Sequence, residues 1–265
     1  MCKEKLIKFY SKGWEISWAK NLDADWNVLS NVYNNRMLDT LRLIKLPKNA
    51  GFSLLDVGCG IGVYSFGILK EFPNCNLKAF DLSKRQIEFA AEEIKRFPFK
   101  KKAVFFTDDA EKFSLNETFD YIICAELLEH IPHPDSVLKR ILLHSHEDTR
   151  FIFSVPIVNG KSKVEWLYRQ FTNGEKWIET PDFDKIDKNK EYYEFYHKQY
   201  IVKEIINLLS KNYFTPVSVK YSNFKRPFKN KYLNCSYSID KILNNLTFNK
   251  KASQVTVLCK KRVVS

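Results

Sequence analysis

Leu54-Leu55-Asp56-Val57-Gly58-Cys59-Gly60-Ile61-Gly62 is an apolar run that ends in three closely spaced glycines. Such a run reads as a buried strand that turns sharply into a helix. Glycine is needed in the turn because side chains would block a ligand lying against the backbone, and because the φ angles there are ones only glycine adopts cheaply. The helical spacing over Val63–Glu71 follows at once, and a helix start offers free N–H groups to a carboxylate. Two details separate this turn from a dinucleotide site. The G-x-G-x-x-G pattern requires its third glycine at position 63, where Val63 stands, and an acid, Asp56, precedes the first glycine by two residues.

Working outward, apolar strand runs alternate with helical patterns. Ser53–Val57, Asn76–Phe80, Ala103–Phe106, Phe119–Cys124 and Arg150–Val155 read as strands, with a helix at Pro134–His144. Ser83-Lys-Arg-Gln86 is a capping box that opens a helix running to about Arg96, before Pro98. Alternation of this kind predicts a doubly wound α/β fold with a mostly parallel sheet covered on both faces. The N-terminal 45 residues read as a helical cap. Residues 46–157 and 200–265 read as the sheet domain, and the aromatic-rich stretch 158–199 as an inserted lid overhanging the strand ends. A helix at Ile201–Lys211, a strand at Val217–Tyr221 and a returning strand at Gln254–Lys260 complete the expected seven-stranded sheet.

Acids recur at the strand ends. Asp81 closes the second strand, 19 residues past Gly62, where a carboxylate can accept both hydroxyls of a ribose. Asp108-Asp109-Ala110-Glu111 follows the third strand, where an acid can accept from an adenine amino group. In this order the residues resemble the class I S-adenosylmethionine-dependent methyltransferases, well over residues 50–157 and more loosely over 195–222. The resemblance implies methionine-side contacts from Asp56, Gly58, Gly60 and Gly62, a ribose contact from Asp81, and adenine-side contacts from Asp109, with Leu82 and Ala110 flanking the base. Two departures stand out: Glu147-Asp148-Thr149 replaces a Pro-Gly-Gly, and Tyr213-Phe214 replaces a late Gly-Phe.

Glu126-Leu127-Leu128-Glu129-His130-Ile131-Pro132 follows the fourth strand. On a helical turn positions 126, 129 and 130 share a face. The pattern is similar to that of the ubiquinone-biosynthesis O-methyltransferases and of the RNA 3′-terminal 2′-O-methyltransferases. That likeness implies a divalent metal ion on Glu126, Glu129 and His130, with His197 as a further ligand. Without metal, His130 or His197 can act as a general base beside Glu129. No Asn-Pro-Pro-Tyr or Asp-Pro-Pro-Tyr motif occurs, which points to oxygen rather than to amide or nucleobase nitrogen. The readings in play are O-methylation of a small anionic metabolite or modified peptide, metal-dependent RNA 2′-O-methylation, and a non-catalytic protein that binds S-adenosylmethionine.

Composition narrows the setting. Of the 265 residues, 45% are hydrophobic and 28% charged, a globular balance, and no apolar run approaches the ~18 residues of a membrane span. Six cysteines without paired spacing, and a start without an apolar leader, suggest a reducing cytoplasmic protein. The +12 formal charge is lopsided. Residues 220–265 hold eleven Lys and Arg against one acid, Asp240, leaving only +2 on the rest. Lys225, Arg226, Lys229 and Lys231 lie between the last two expected strands, which suggests an anionic acceptor.

Overall fold

The computed structural model describes residues 31–98, 102–157, 175–181, 192–222 and 252–262. Helix α1 (Asn31–Leu43) precedes β1 (Phe52–Val57), α2 (Val63–Glu71), β2 (Cys75–Asp81), α3 (Lys84–Glu93) and β3 (Ala103–Thr107). Then come β4 (Phe119–Ala125), a 3-10 turn (Leu128–His130), α4 (Pro134–Leu143) and β5 (Ser145–Pro156). The two strands β6 (Glu175–Pro181) and β7 (Tyr192–Lys198) stand apart from the main sheet. Helix α5 (Val202–Lys211), β8 (Phe214–Ser222) and β9 (Gln254–Lys261) finish the chain.

Seven strands form one sheet in the order β3-β2-β1-β4-β5-β9-β8. Strands β1 to β5 are parallel; β9 runs antiparallel to both β5 and β8, so β8 points with the parallel set. The chain order reverses between β1 and β4, the crevice where ligands of such sheets bind. The doubly wound reading therefore holds.

Central parallel strands are buried on both faces, which explains why Leu54 and Leu55 are both apolar and both 0% exposed. Each such burial stabilises by about 1.5–3 kcal/mol. Leu54, Leu77, Ile123 and Ile152 face one core with α1, α2 and α3, where Leu43, Phe66, Ile68 and Ile87 meet them. Leu55, Phe80, Ile122 and Phe153 face the other, closed by Val137, Leu138 and Ile141 of α4 and Ile205 and Leu209 of α5. Ser83 caps α3 by accepting the Gln86 N–H at 3.4 Å.

Both departures from the family pattern have local structural answers. Glu147-Asp148-Thr149 lies within β5, which starts at Ser145 rather than Arg150 and jumps register against β4. Thr149 stitches that irregularity, its hydroxyl donating to Phe119 O at 2.6 Å and accepting from His146 N at 2.9 Å. Tyr213, where the resemblance leads one to expect glycine, takes a left-handed backbone (φ 65), at a cost of roughly 1–2 kcal/mol. Strand β8 is also longer than expected, because Pro216 sits at a bulge on an edge strand, where its missing N–H is tolerated.

Helix α1 and the β6–β7 ladder lie within the expected cap and lid. Residues 1–30 of the cap and 158–174 and 182–191 of the lid lie outside the described ones, as do Lys225, Arg226, Lys229 and Lys231. Cys59, Cys75, Cys124 and Cys259 are buried, unpaired thiols. Among the described residues no helix is long and apolar enough to cross a membrane.

Candidate active site

The glycine turn is built from backbone hydrogen bonds to the neighbouring strand. Gly58 N and Cys59 N both donate to Phe80 O at 2.9 Å, so the end of β1 bends over the end of β2. Gly58, Gly60 and Gly62 take φ values of 73, 54 and 87, the left-handed region that explains their identity.

Asp81 clamps this turn. Its Oδ2 accepts from Gly60 N and its Oδ1 from Ser83 N, both at 2.9 Å. A carboxylate has about four lone-pair sites, so these backbone bonds leave acceptor capacity for the ribose hydroxyls that the resemblance assigns to it. Burial raises the Asp81 carboxyl, and the Ser83, Gly60 and Leu82 N–H bonds oppose that rise. Asp56 lies beneath the turn, 2% exposed, and Ser65 Oγ donates to it at 2.6 Å. Burial lifts its carboxyl to about 7, with the Asp81 charge adding to the rise and Ser65 opposing it.

Past β3, Asp108 N donates to Asp81 O at 3.1 Å, which seats the third strand end against the second. Asp109 Oδ1 accepts from Glu111 N at 3.0 Å, and Ala110 beside it is 8% exposed. Asp81, Leu82, Asp109 and Ala110 thus stand in a row at the carboxyl ends of β2 and β3. The left-handed glycines and the spare acceptors of Asp81 fit an adenosyl group carrying an amino-acid tail.

The end of β4 is made differently. Glu126 has a left-handed φ of 55, unusual for a long side chain, while its N–H continues the ladder to Ser154 O at 2.8 Å. Its carboxylate pairs with Arg36 of α1, accepts from Gln254 Nε2 of β9, and accepts from Ser154 Oγ at 3.3 Å. Glu129 is 2% exposed, and its Oε2 has no hydrogen-bond partner. Burial, then the neighbouring Glu126 charge, push its carboxyl well above the usual range. His130 Nε2 stands 3.9 Å from Glu129 Oε1, and the His130 ring meets the His197 ring of β7 at 5.2 Å between centroids.

The structure therefore divides the expected metal quartet. Glu129, His130 and His197 come together, but Glu126 is turned to a guanidinium and an amide. Among the described residues no three His, Cys, Asp or Glu side chains gather closely enough to hold a metal ion. The donor set as arranged does not fit a divalent ion. The RNA reading, which rested on that set, loses its support.

Three residues that shape the site carried no marker in the sequence. Arg36 and Gln254 reach Glu126 across 90 and 128 residues. Leu127 lies so close to the glycine turn that a Cβ on Gly58 would come within 2.9 Å of its Cδ2.

This arrangement of a glycine turn and strand-end acids at a switch point is the one that the resemblance to class I S-adenosylmethionine-dependent methyltransferases leads one to expect. The family model described as "Methyltransferase domain" matches residues 48–263, and the chain belongs to that family. It is similar to malonyl-[acyl-carrier protein] O-methyltransferase 2 of Ilyobacter polytropus, at 28% identity over 52% of this chain and 51% of that one. The chain thus spans about half the length of that relative. It is also similar to the ubiquinone biosynthesis O-methyltransferase of Rickettsia typhi, at 26% identity over 72% of this chain and 76% of that one. Among solved structures, the 1,6-didemethyltoxoflavin-N1-methyltransferase of Burkholderia thailandensis superposes with a TM-score of 0.61 at 15% identity, covering 98% of this chain and 89% of that one. That likeness is one of fold.

Proposed function

We propose that this methyltransferase acts on oxygen, methylating a hydroxyl or carboxylate of a small anionic acceptor or of a modified peptide. The observation that carries the reading is the pair of imidazoles, His130 and His197, facing each other beside Glu129 past the end of β4. Two relatives named for O-methylation support it. S-adenosylmethionine supplies a methyl group already activated on a sulfonium, so the protein has mainly to hold the acceptor in line with it. Such positioning lowers a barrier by about 7–11 kcal/mol at best. The glycine turn, Asp56, Asp81, Leu82, Asp109 and Ala110 hold the donor. His130 takes the proton of an acceptor hydroxyl as the carbon–oxygen bond forms and the methyl carbon–sulfur bond breaks, leaving S-adenosylhomocysteine, and His197 and Glu129 keep its ring in place. A carboxylate acceptor has no proton to give, and the imidazoles then serve to seat it.

The anionic part of the reading rests on topology and charge. Strand β8 ends and β9 begins at the site end of the sheet, where Ser253 N donates to Ser222 O at 3.3 Å and Ile157 N to Ser253 O at 2.9 Å. The basic connection carrying Lys225, Arg226, Lys229 and Lys231 leaves and returns there. Ile157 also bridges Tyr200, so the aromatic insert leaves and returns at the same end, where it can wall an acceptor pocket.

The test is turnover of methyl-labelled donor with hydroxyl and carboxyl acceptors, in excess chelator. A methyl ester releases its label in alkali and an ether keeps it; a labelled amine breaks the oxygen reading. His130→Ala should slow a hydroxyl acceptor by about 10²–10⁴, with S-adenosylhomocysteine affinity nearly unchanged. Unchanged turnover in that variant removes His130 as the base. Loss of turnover in chelator restores the metal reading.

A further inference from the structure

The partners of Glu126 are Arg36, Gln254 and Ser154. The Glu126-Leu127 turn lies directly on the glycine turn, since Leu127 leaves no room for a Cβ on Gly58. On the other side of that turn is α2, and α1 packs on α2 so closely that a Cβ on Gly67 would run into the Met37 sulfur. Helix α1 is therefore fixed at two adjacent residues. Met37 seats it on α2, and Arg36 ties it to Glu126 at the end of β4. The glycine turn touches Leu127, next to Glu126, on one side and runs into α2, which carries Gly67, on the other. Tyr64, 7% exposed in the first turn of α2, feels the charges of both Glu126 and Arg36.

The pair is also held from the sheet side. Gln254 Nε2 donates to Glu126 and, at 2.7 Å, to Ser154 Oγ, which itself reaches Thr256 Oγ1 at 3.3 Å. The arginine and glutamate side chains are 16% and 21% exposed, sheltered enough for the charge–charge contact to matter. A left-handed glutamate costs backbone energy, and this set of partners is what holds it there.

We propose that Arg36 and Glu126 form a positioning pair that fixes α1 as one wall of the donor pocket, so that donor retention depends on this contact rather than on a metal ion. The inference rests on the donor site alone and is independent of which atom accepts the methyl group.

Calorimetry with S-adenosylhomocysteine on Arg36→Leu, Glu126→Gln and the double variant tests it, alongside amide exchange in α1 and a manganese titration. If the two side chains act as a unit, each single change weakens binding by about tenfold and the double change adds little more. The α1 amides then exchange faster in all three, and manganese does not bind the parent protein. Arg36→Lys, which keeps the charge and the fold, should lose only two- to threefold. Additive effects overturn the pair. So does unchanged donor affinity with faster α1 exchange, which would make the contact purely structural. Manganese binding that disappears with Glu126→Gln but survives Arg36→Leu would return Glu126 to a metal site.

Discussion

At the ends of β1, β2 and β3 the site is tied by short reaches of chain. Asp81 grips Gly60 from 21 residues away and Ser83 from two. At the end of β4 the ties span 90 residues to Arg36 and 128 to Gln254, and the facing histidines come from a 3-10 turn and a separate two-stranded ladder. The donor half is thus a backbone cradle that few local residues suffice to set. The half at the end of β4 is a meeting of side chains from α1, β4, β7 and β9, in which Arg36, Glu126 and Gln254 brace the proposed donor side and His130 and His197 face the proposed acceptor side. A half of the first kind tolerates little change in its glycines and acids. A half of the second kind draws on distant positions of the chain, which suits a family whose relatives are named for different acceptors.

The sharpest way to break this contrast is through Asp56, because its charge state belongs to the donor half alone. Its carboxyl sits at about 7 in the folded protein against an ordinary 3.8, chiefly through burial. A raised folded value means the native state holds the extra proton between those limits. Stability is therefore present at low pH and lost as the pH rises from about 4 through about 7. At about 1.4 kcal/mol per unit, that is a few kcal/mol at most. Asp56→Asn should flatten this part of the slope when ligand-free protein is unfolded in urea at pH 5 and pH 8. A slope identical to that of the parent would mean that Asp56 is ionised in the fold.

Next in size is Asp81. Asp81→Ala takes the acceptor away from the N–H groups of Gly60 and Ser83, and each buried unsatisfied N–H costs about 1–3 kcal/mol. Because the donor closes the same turn, S-adenosylhomocysteine affinity should fall about ten- to a hundredfold. The acceptor KM at saturating donor should stay within about twofold. A matching rise in acceptor KM would show that the two halves are not separable.

How far each half was legible follows from the same contrast. The stretch Leu54–Gly62, Asp81 and Asp109 declare themselves because glycine turns and strand-end acids depend on local backbone geometry, and the structure brings them together at neighbouring strand ends. Strand positions and directions were legible for the same reason, since apolar runs and crossover rules leave few alternatives. Glu126 misled because spacing on a helical turn places it with Glu129 and His130, whereas its left-handed backbone turns it away. Nothing local marks Arg36, one of two arginines in its helix, as the partner of a carboxylate ninety positions on. Tyr213 shows the converse, a glycine conformation taken without the glycine.

The smallest expected effect concerns charge at the acceptor entrance. Strand β8 points with the parallel set and β9 returns against it, so the connection between them leaves from Ser222 and re-enters at Ala252 on the site side of the sheet. Lys225, Arg226, Lys229 and Lys231 are carried on that connection, within a stretch whose eleven cations face a single acid. A potential of this sign draws an anionic acceptor from solution, with a reach of about 8–10 Å at ordinary ionic strength. Changing all four to Gln should raise the acceptor KM a fewfold at low salt and leave donor affinity untouched. The gap between parent and variant should close as salt is added, because screening removes from the parent what the substitutions remove from the variant. A gap that persists in high salt would mean the residues touch the acceptor directly, which sharpens the division between the two halves. No gap at any salt would make the basic stretch a solvated surface and remove the anionic acceptor from the proposal, leaving the oxygen chemistry at His130 to stand by itself.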